Sequence, residues 1–124
     1  MGNIYQTVHV AGLRSEKEIK ALIDSGAELS AIRPDIATFI GAATSKEHIS
    51  IRTVDGRKID ATQVVMTIRI RDRFENISAA VMQIKEPLII GNDFLQANKM
   101  QLDFSDDKLK FNQYAPKIRK VYRI

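Results

Sequence analysis

Alternation with a period of two residues runs through the middle of the chain and turns at Asp55-Gly56. Ile49, Ile51 and Thr53 alternate with Ser50, Arg52 and Val54. Beyond the turn, Val64, Met66, Ile68 and Ile70 share one face, with Thr67, Arg69 and Arg71 on the other. Successive side chains of a strand point to opposite faces, so this pattern specifies half-buried strands rather than helix. Asp-Gly between two such segments is a strong short-range hairpin signal, because the tight turn requires φ > 0.

The flanking segments read in the same terms. Ile4 to Val10 is a strand, broken at Ala11-Gly12. From Glu18 to Ile23 two signals conflict. Ser15 with Glu18 matches a helix capping box, whereas Ile19, Ala21 and Ile23 alternate as in a strand. The strand is preferred, because Asp24-Ser25-Gly26 ends the segment too soon for a helix. Pro34 suits the first turn of a short helix reaching Ile40, which Gly41 ends. Ile77 to Ile84 reads as a strand. Leu88-Ile89-Ile90, after Pro87 and before Gly91, is short and apolar enough for a fully buried one. Asn92 is expected to cap a helix from Asp93 to about Asn98. Leu102 and Phe104, a Ser105-Asp106-Asp107 turn, then Leu109 and Phe111 form a last hairpin. The fold class is therefore all-β with two small helices.

Composition bounds the rest. The 124 residues suit one domain, residues 1–124, and 44% apolar content is enough to fill a core. No apolar run approaches the ~20 residues of a membrane span, and no secretory signal is recognisable. The absence of cysteine excludes disulfides, a thiol nucleophile and a thiolate zinc site. A cytoplasmic, reducing location is expected, with the interior of a virus-like particle as a variant, and no membrane partner. The net charge of +4 is uneven. From Lys108 onward there are six basic residues and no acidic one, so residues 1–107 are slightly acidic. The basic end reads first as a solvated terminus. With only eight Phe and Tyr residues, the chain has few stacking platforms for single-stranded nucleic acid, which makes such a partner an unfavoured reading.

Few residues remain that could carry chemistry. The chain has no G-x-S-x-G, P-loop, H-E-x-x-H or G-x-G-x-x-G. His9 and His48 have no neighbour at metal-ligand spacing, so neither a metal nor another cofactor is expected. What stands out is Ala21-Leu22-Ile23-Asp24-Ser25-Gly26-Ala27, in which an apolar strand delivers a carboxylate, a hydroxyl and a glycine into a tight turn. Turn chemistry alone also accounts for those three residue types. The second element, Leu88-Ile89-Ile90-Gly91-Asn92-Asp93-Phe94-Leu95, lies some 65 residues downstream with the Asp-Gly hairpin between the two.

That order resembles the retropepsin family, the aspartic proteases of retroviruses and long-terminal-repeat retrotransposons, with related domains in cellular and bacterial proteins. Asp24-Ser25-Gly26-Ala27 matches the catalytic loop, Val54-Asp55-Gly56-Arg57 the flap, and Leu88-Ile89-Ile90-Gly91 the hydrophobic-hydrophobic-Gly element before the family's helix. The resemblance covers about residues 4–111 and leaves a basic tail, 112–124, outside the pattern. It implies a small closed acid-protease barrel with one or two short helices, one lobe per chain, and a two-fold homodimer acting on a polypeptide or polyprotein. Asp24 of both subunits would hold the attacking water, Ser25 would brace the loop, and Gly26 would let substrate backbone come close. Ala27 and Glu28 would line the cleft. Val54, Asp55 and Gly56 would sit at the flap, and Ile89 would line a side-chain pocket. Two departures stand out: this flap has a single glycine, and Glu28 is longer than its usual counterpart. Two alternatives remain at this level. One is a catalytically silent retropepsin-like scaffold; the other is a basic β-barrel that binds nucleic acid.

Overall fold

The computed structural model describes residues 3–52, 55–103 and 108–111. In chain order these form β1 (Ile4–Ala11), β2 (Glu16–Ile23), β3 (Ala31–Ile32), α1 (Pro34–Ile40), β4 (Ala43–Arg52) and β5 (Lys58–Ile70). They continue with β6 (Arg73–Val81), β7 (Leu88–Ile90), α2 (Asn92–Ala97), β8 (Met100–Asp103) and β9 (Lys108–Phe111).

Six strands close into a barrel in the order β1-β2-β7-β3-β6-β5, with β5 returning to β1. β1 and β2 form an antiparallel hairpin in which Ile4 faces Ile23 and Val8 faces Ile19. The apolar alternation in β2 therefore reports a strand, as preferred over the capping box. β7 runs parallel to β2 and antiparallel to β3, so three short apolar segments from distant parts of the sequence meet side by side. The interior is filled from all of them: Ile4, Ile32, Ile40, Ile68, Leu88 and Ile90 are each at most 1% exposed.

The 13-residue β5 does two jobs along one edge. Its later part, Thr67 to Arg69, pairs with β1 and closes the barrel. Its earlier part pairs with β4, from Arg52 opposite Lys58 to Ala43 opposite Val65. On the other edge, β6 reaches back only to Gln63. Residues 58–62 thus have β4 as their ladder partner, and the β4–β5 hairpin projects past the barrel rim. Gly56, with φ of +88°, supplies the left-handed backbone of the Asp55-Gly56 turn.

α1 runs over the expected residues, from Pro34 to Ile40, and buries Ile36, Ala37 and Ile40. Other expectations need correction. β4 begins at Ala43, six residues before Ile49; its first half has a register shift between Thr44 and His48, and its residues Ala43-Thr44-Ser45-Lys46 carry no large apolar side chain to mark a strand in sequence. β3 has only two residues, too few to show a period in sequence. β6 occupies 73–81 rather than 77–84, because the chain reverses at Arg71-Asp72 without glycine, Arg71 itself taking φ of 56°. Asn92 is the first residue of α2, not its cap; Gly91 holds that position and no side chain caps the helix. Pairing of β8 with β9 gives the expected last hairpin. Its turn and the basic tail beyond Phe111 lie outside the described residues, as does Val54.

Candidate active site

The loop from Asp24 to Ser30 leaves the end of β2 and is held by backbone bonds rather than by apolar packing. The Asp24 amide donates to Ile90 O at 2.9 Å, and Ala27 N–H donates to Asp24 O at 3.1 Å. From the other side, Asn92 N–H donates to Ala27 O at 2.7 Å and Asp93 N–H to Glu28 O at 3.2 Å. The start of α2 is therefore stitched along the loop. Gly91 makes this approach possible: a β-carbon there would lie 2.6 Å from Leu29 O and 2.9 Å from Ala27 O. Absence of a side chain, not a special φ, is what this position requires.

One buried hydroxyl joins the same elements. Ser30 is 1% exposed, accepts a bond from Gly91 N–H at 3.0 Å, and donates to Asp93 Oδ1 at 2.9 Å. That carboxylate oxygen also accepts from Phe94 N–H at 2.7 Å. Sequence reading missed both side chains as partners. They stand 63 residues apart, and the pairing of β7 with both β2 and β3 brings their segments together.

The Asp24 carboxylate is half-buried at the mouth of this loop. Its Oδ1 accepts from Gly26 N–H at 2.9 Å, an Asx-type turn bond, and Oδ2 has no partner among the described residues. Ser25 is exposed, and its hydroxyl likewise has no partner among them. Beside the turn opens a cleft of about 620 Å³. Gly26, Ala27, Glu28 and Leu29 form its loop wall, Ser50, Ile51 and Arg52 its hairpin wall, and Ala80 and Met82 of β6 and the following residue close the back. The cleft lies between the Asp-Ser-Gly loop and the projecting hairpin.

This combination of barrel, loop and hairpin corresponds to a known sequence family. The pattern of the gag-polyprotein putative aspartyl proteases matches residues 10–97. The chain belongs to that family. Its fold is also that of the retropepsin-like proteases. The retroviral protease-like domain of Ddi1 from Leishmania major superposes with a TM-score of 0.67 at 19% identity, covering 90% of this chain and 89% of that one. EIAV protease, solved with the inhibitor HBY-793, gives 0.63 at 19% identity, over 77% of this chain and 88% of its own. A retropepsin-like aspartic protease from Rickettsia conorii gives 0.57 at 22% identity, over 82% and 75%. No curated protein matches the chain.

Within this protease-family fold, the residues singled out from sequence separate into groups. Asp24, Ser25, Gly26, Ala27 and Glu28 are contiguous at the loop, and the last three line the cleft. Asp55 and Gly56 sit at the exposed hairpin tip, outside the cleft lining. Ile89 is half-buried in β7 between Leu22 and Ala31, and does not line this cleft. Arg52, Ile51, Leu29, Ala80 and Met82 are lining residues that sequence reading passed over. Ser50, Ile51 and Arg52 had a usable signal, since they lead directly into the legible Asp-Gly turn. Among the described residues, no cluster of His, Asp and Glu is arranged to hold a metal ion. His9 instead meets Glu16 across the β1–β2 hairpin at 2.6 Å.

Proposed function

We propose that the chain is an aspartic endopeptidase that works as a homodimer on extended polypeptides. The observation that carries this reading is the state of Asp24. One carboxylate oxygen is held by Gly26 N–H, the other has no partner among the described residues, and the cleft of about 620 Å³ begins at Gly26 of the same turn.

Hydrolysis of a peptide bond without a nucleophilic side chain needs a base to activate water and an acid to protonate the departing amine. Two carboxylates about 3 Å apart cannot both ionise, so they share one proton and divide those roles; aspartic proteases are the standard case of this rule. Each chain carries a single Asp-Ser-Gly, so a second copy would supply the partner carboxylate across a two-fold axis. In the first step Asp24 of one subunit takes a proton from water as its oxygen attacks the carbonyl carbon. The protonated Asp24 of the other subunit supports the carbonyl oxygen. Proton return to the amide nitrogen then breaks the C–N bond.

The exposed Ser25 hydroxyl is available to brace the loop of the second copy. The β4–β5 hairpin would act as the flap, covering the peptide and excluding water. The peptide itself would add as a strand, through main-chain bonds.

The test is cleavage of a peptide mixture at acidic to mildly acidic pH and high protein concentration, with Asp24→Asn as control. Turnover by the wild-type chain and none by a folded Asp24→Asn variant supports the reading. Retained cleavage in the variant removes Asp24 from the mechanism. A dimer without turnover that ignores pepstatin-type inhibitors would mark a silent scaffold.

A further inference from the structure

The two walls of the cleft carry opposite charges that do not meet. Glu28 stands on the loop wall and Arg52 on the hairpin wall, both exposed, and no ion pair joins either to a described residue. Arg52 makes one weak bond, from Nη1 to Gly56 O at 3.3 Å, which turns its head toward the hairpin's own backbone. The nearby carboxylate of Asp55 is engaged by Arg57, Nε to Oδ2 at 3.0 Å. Arg52, a lining residue with guanidinium donors left over from that one bond, thus borders a cleft whose remaining lining is largely aliphatic, including Leu29, Ile51 and Met82.

From this arrangement we infer that Arg52 is a specificity-determining residue, which selects peptides carrying an Asp or Glu side chain next to the apolar side chain that fills the cleft. A guanidinium presents a planar fork of donors matched to a carboxylate. Glu28, on the opposite wall, repels the same side chain. Attraction on one wall and repulsion on the other fix the position the acidic residue takes, which is how charge sets register more than raw affinity. This inference rests on the reading of the cleft as the peptide site, but not on hydrolysis taking place there.

The experiment uses an octapeptide mixture randomised at its four central positions, offered to the wild-type chain and to Arg52→Glu. Products are read by mass spectrometry. The wild type should favour Asp or Glu over Asn or Gln at one position by about fivefold, the scale of a well-placed exposed ion pair. Arg52→Glu should replace that preference with Lys or Arg at the same position. An unchanged charge preference in the variant, or none in the wild type, overturns the inference. A second arm captures peptides from the same mixture on Asp24→Asn and on Asp24→Asn/Arg52→Glu. If the wild type cleaves nothing, the protease reading fails, while acid enrichment in the first capture and its reversal in the second still support Arg52 as selector. Capture without acid enrichment overturns it.

Discussion

Ser30, a buried residue at the cleft wall, shows how much of the site depends on a side chain spent on holding the loop. Its hydroxyl is the common point of the Asp24–Ser30 loop, Gly91 and Asp93, and it is fully buried. Ser30→Ala leaves the Gly91 N–H and one Asp93 bond without a partner, and a buried group in that state costs about 1–3 kcal/mol. Chemical denaturation should read a loss of that size, whereas Ser30→Thr should retain most of the stability. Gly91→Ala is expected to be worse, because the contacts at 2.6 and 2.9 Å are with backbone oxygens that cannot rotate away. A drop well above 1 kcal/mol, or failure to fold, is the expected outcome. At this scale Asp24-Ser25-Gly26 was legible, since local turn chemistry writes itself into three adjacent residues. Ser30 with Asp93 was not, because nothing local distinguishes a serine that will meet a carboxylate 63 positions away.

Elements were legible where burial forces a pattern and obscure where it does not. β5 shows both in one strand: from Val64 onward alternate residues are buried and the period is plain, while Lys58, Ile59 and Asp60 are all exposed and pair through backbone alone. β3 has too few residues for any period to register. The β5–β6 turn hid because Arg71 takes the left-handed conformation that sequence reading assigns to glycine or asparagine. The same strain occurs after α2, where Lys99 has φ of 56° just past the helix end. Lys99→Gly should therefore stabilise the chain by about 0.5–1 kcal/mol, since glycine accepts αL without steric cost. A rise in thermal midpoint checks it, and an unchanged or lower midpoint would show that the lysine side chain contributes more than the backbone loses. At the hairpin tip, Gly56→Ala places a β-carbon at φ of +88° with nothing near it. That variant should lower stability by about 1 kcal/mol through backbone strain alone, read as a fall in thermal midpoint, and should also lower kcat/KM if the hairpin covers the peptide.

At the scale of the whole molecule, one chain provides a barrel, one Asp-Ser-Gly loop and one projecting hairpin. The closed barrel and the family were both legible, because this chain carries the loop, the hairpin and the hydrophobic-hydrophobic-Gly element in recognisable order, although identity to the solved structures of the same fold is only 19–22%. The cleft's charge was not legible, since it comes from bringing Arg52 and Glu28 to facing walls.

The proposed dependence on a second copy is tested most directly by mixing. Wild-type chain at fixed concentration is titrated with folded Asp24→Asn chain, and peptide cleavage is followed after the subunits have exchanged. If each site needs Asp24 from both copies, mixed dimers are dead, and a tenfold excess of variant should leave about a tenth of the starting activity. Cleavage that stays constant across the titration would contradict the account, because it would mean that one chain carries a complete site.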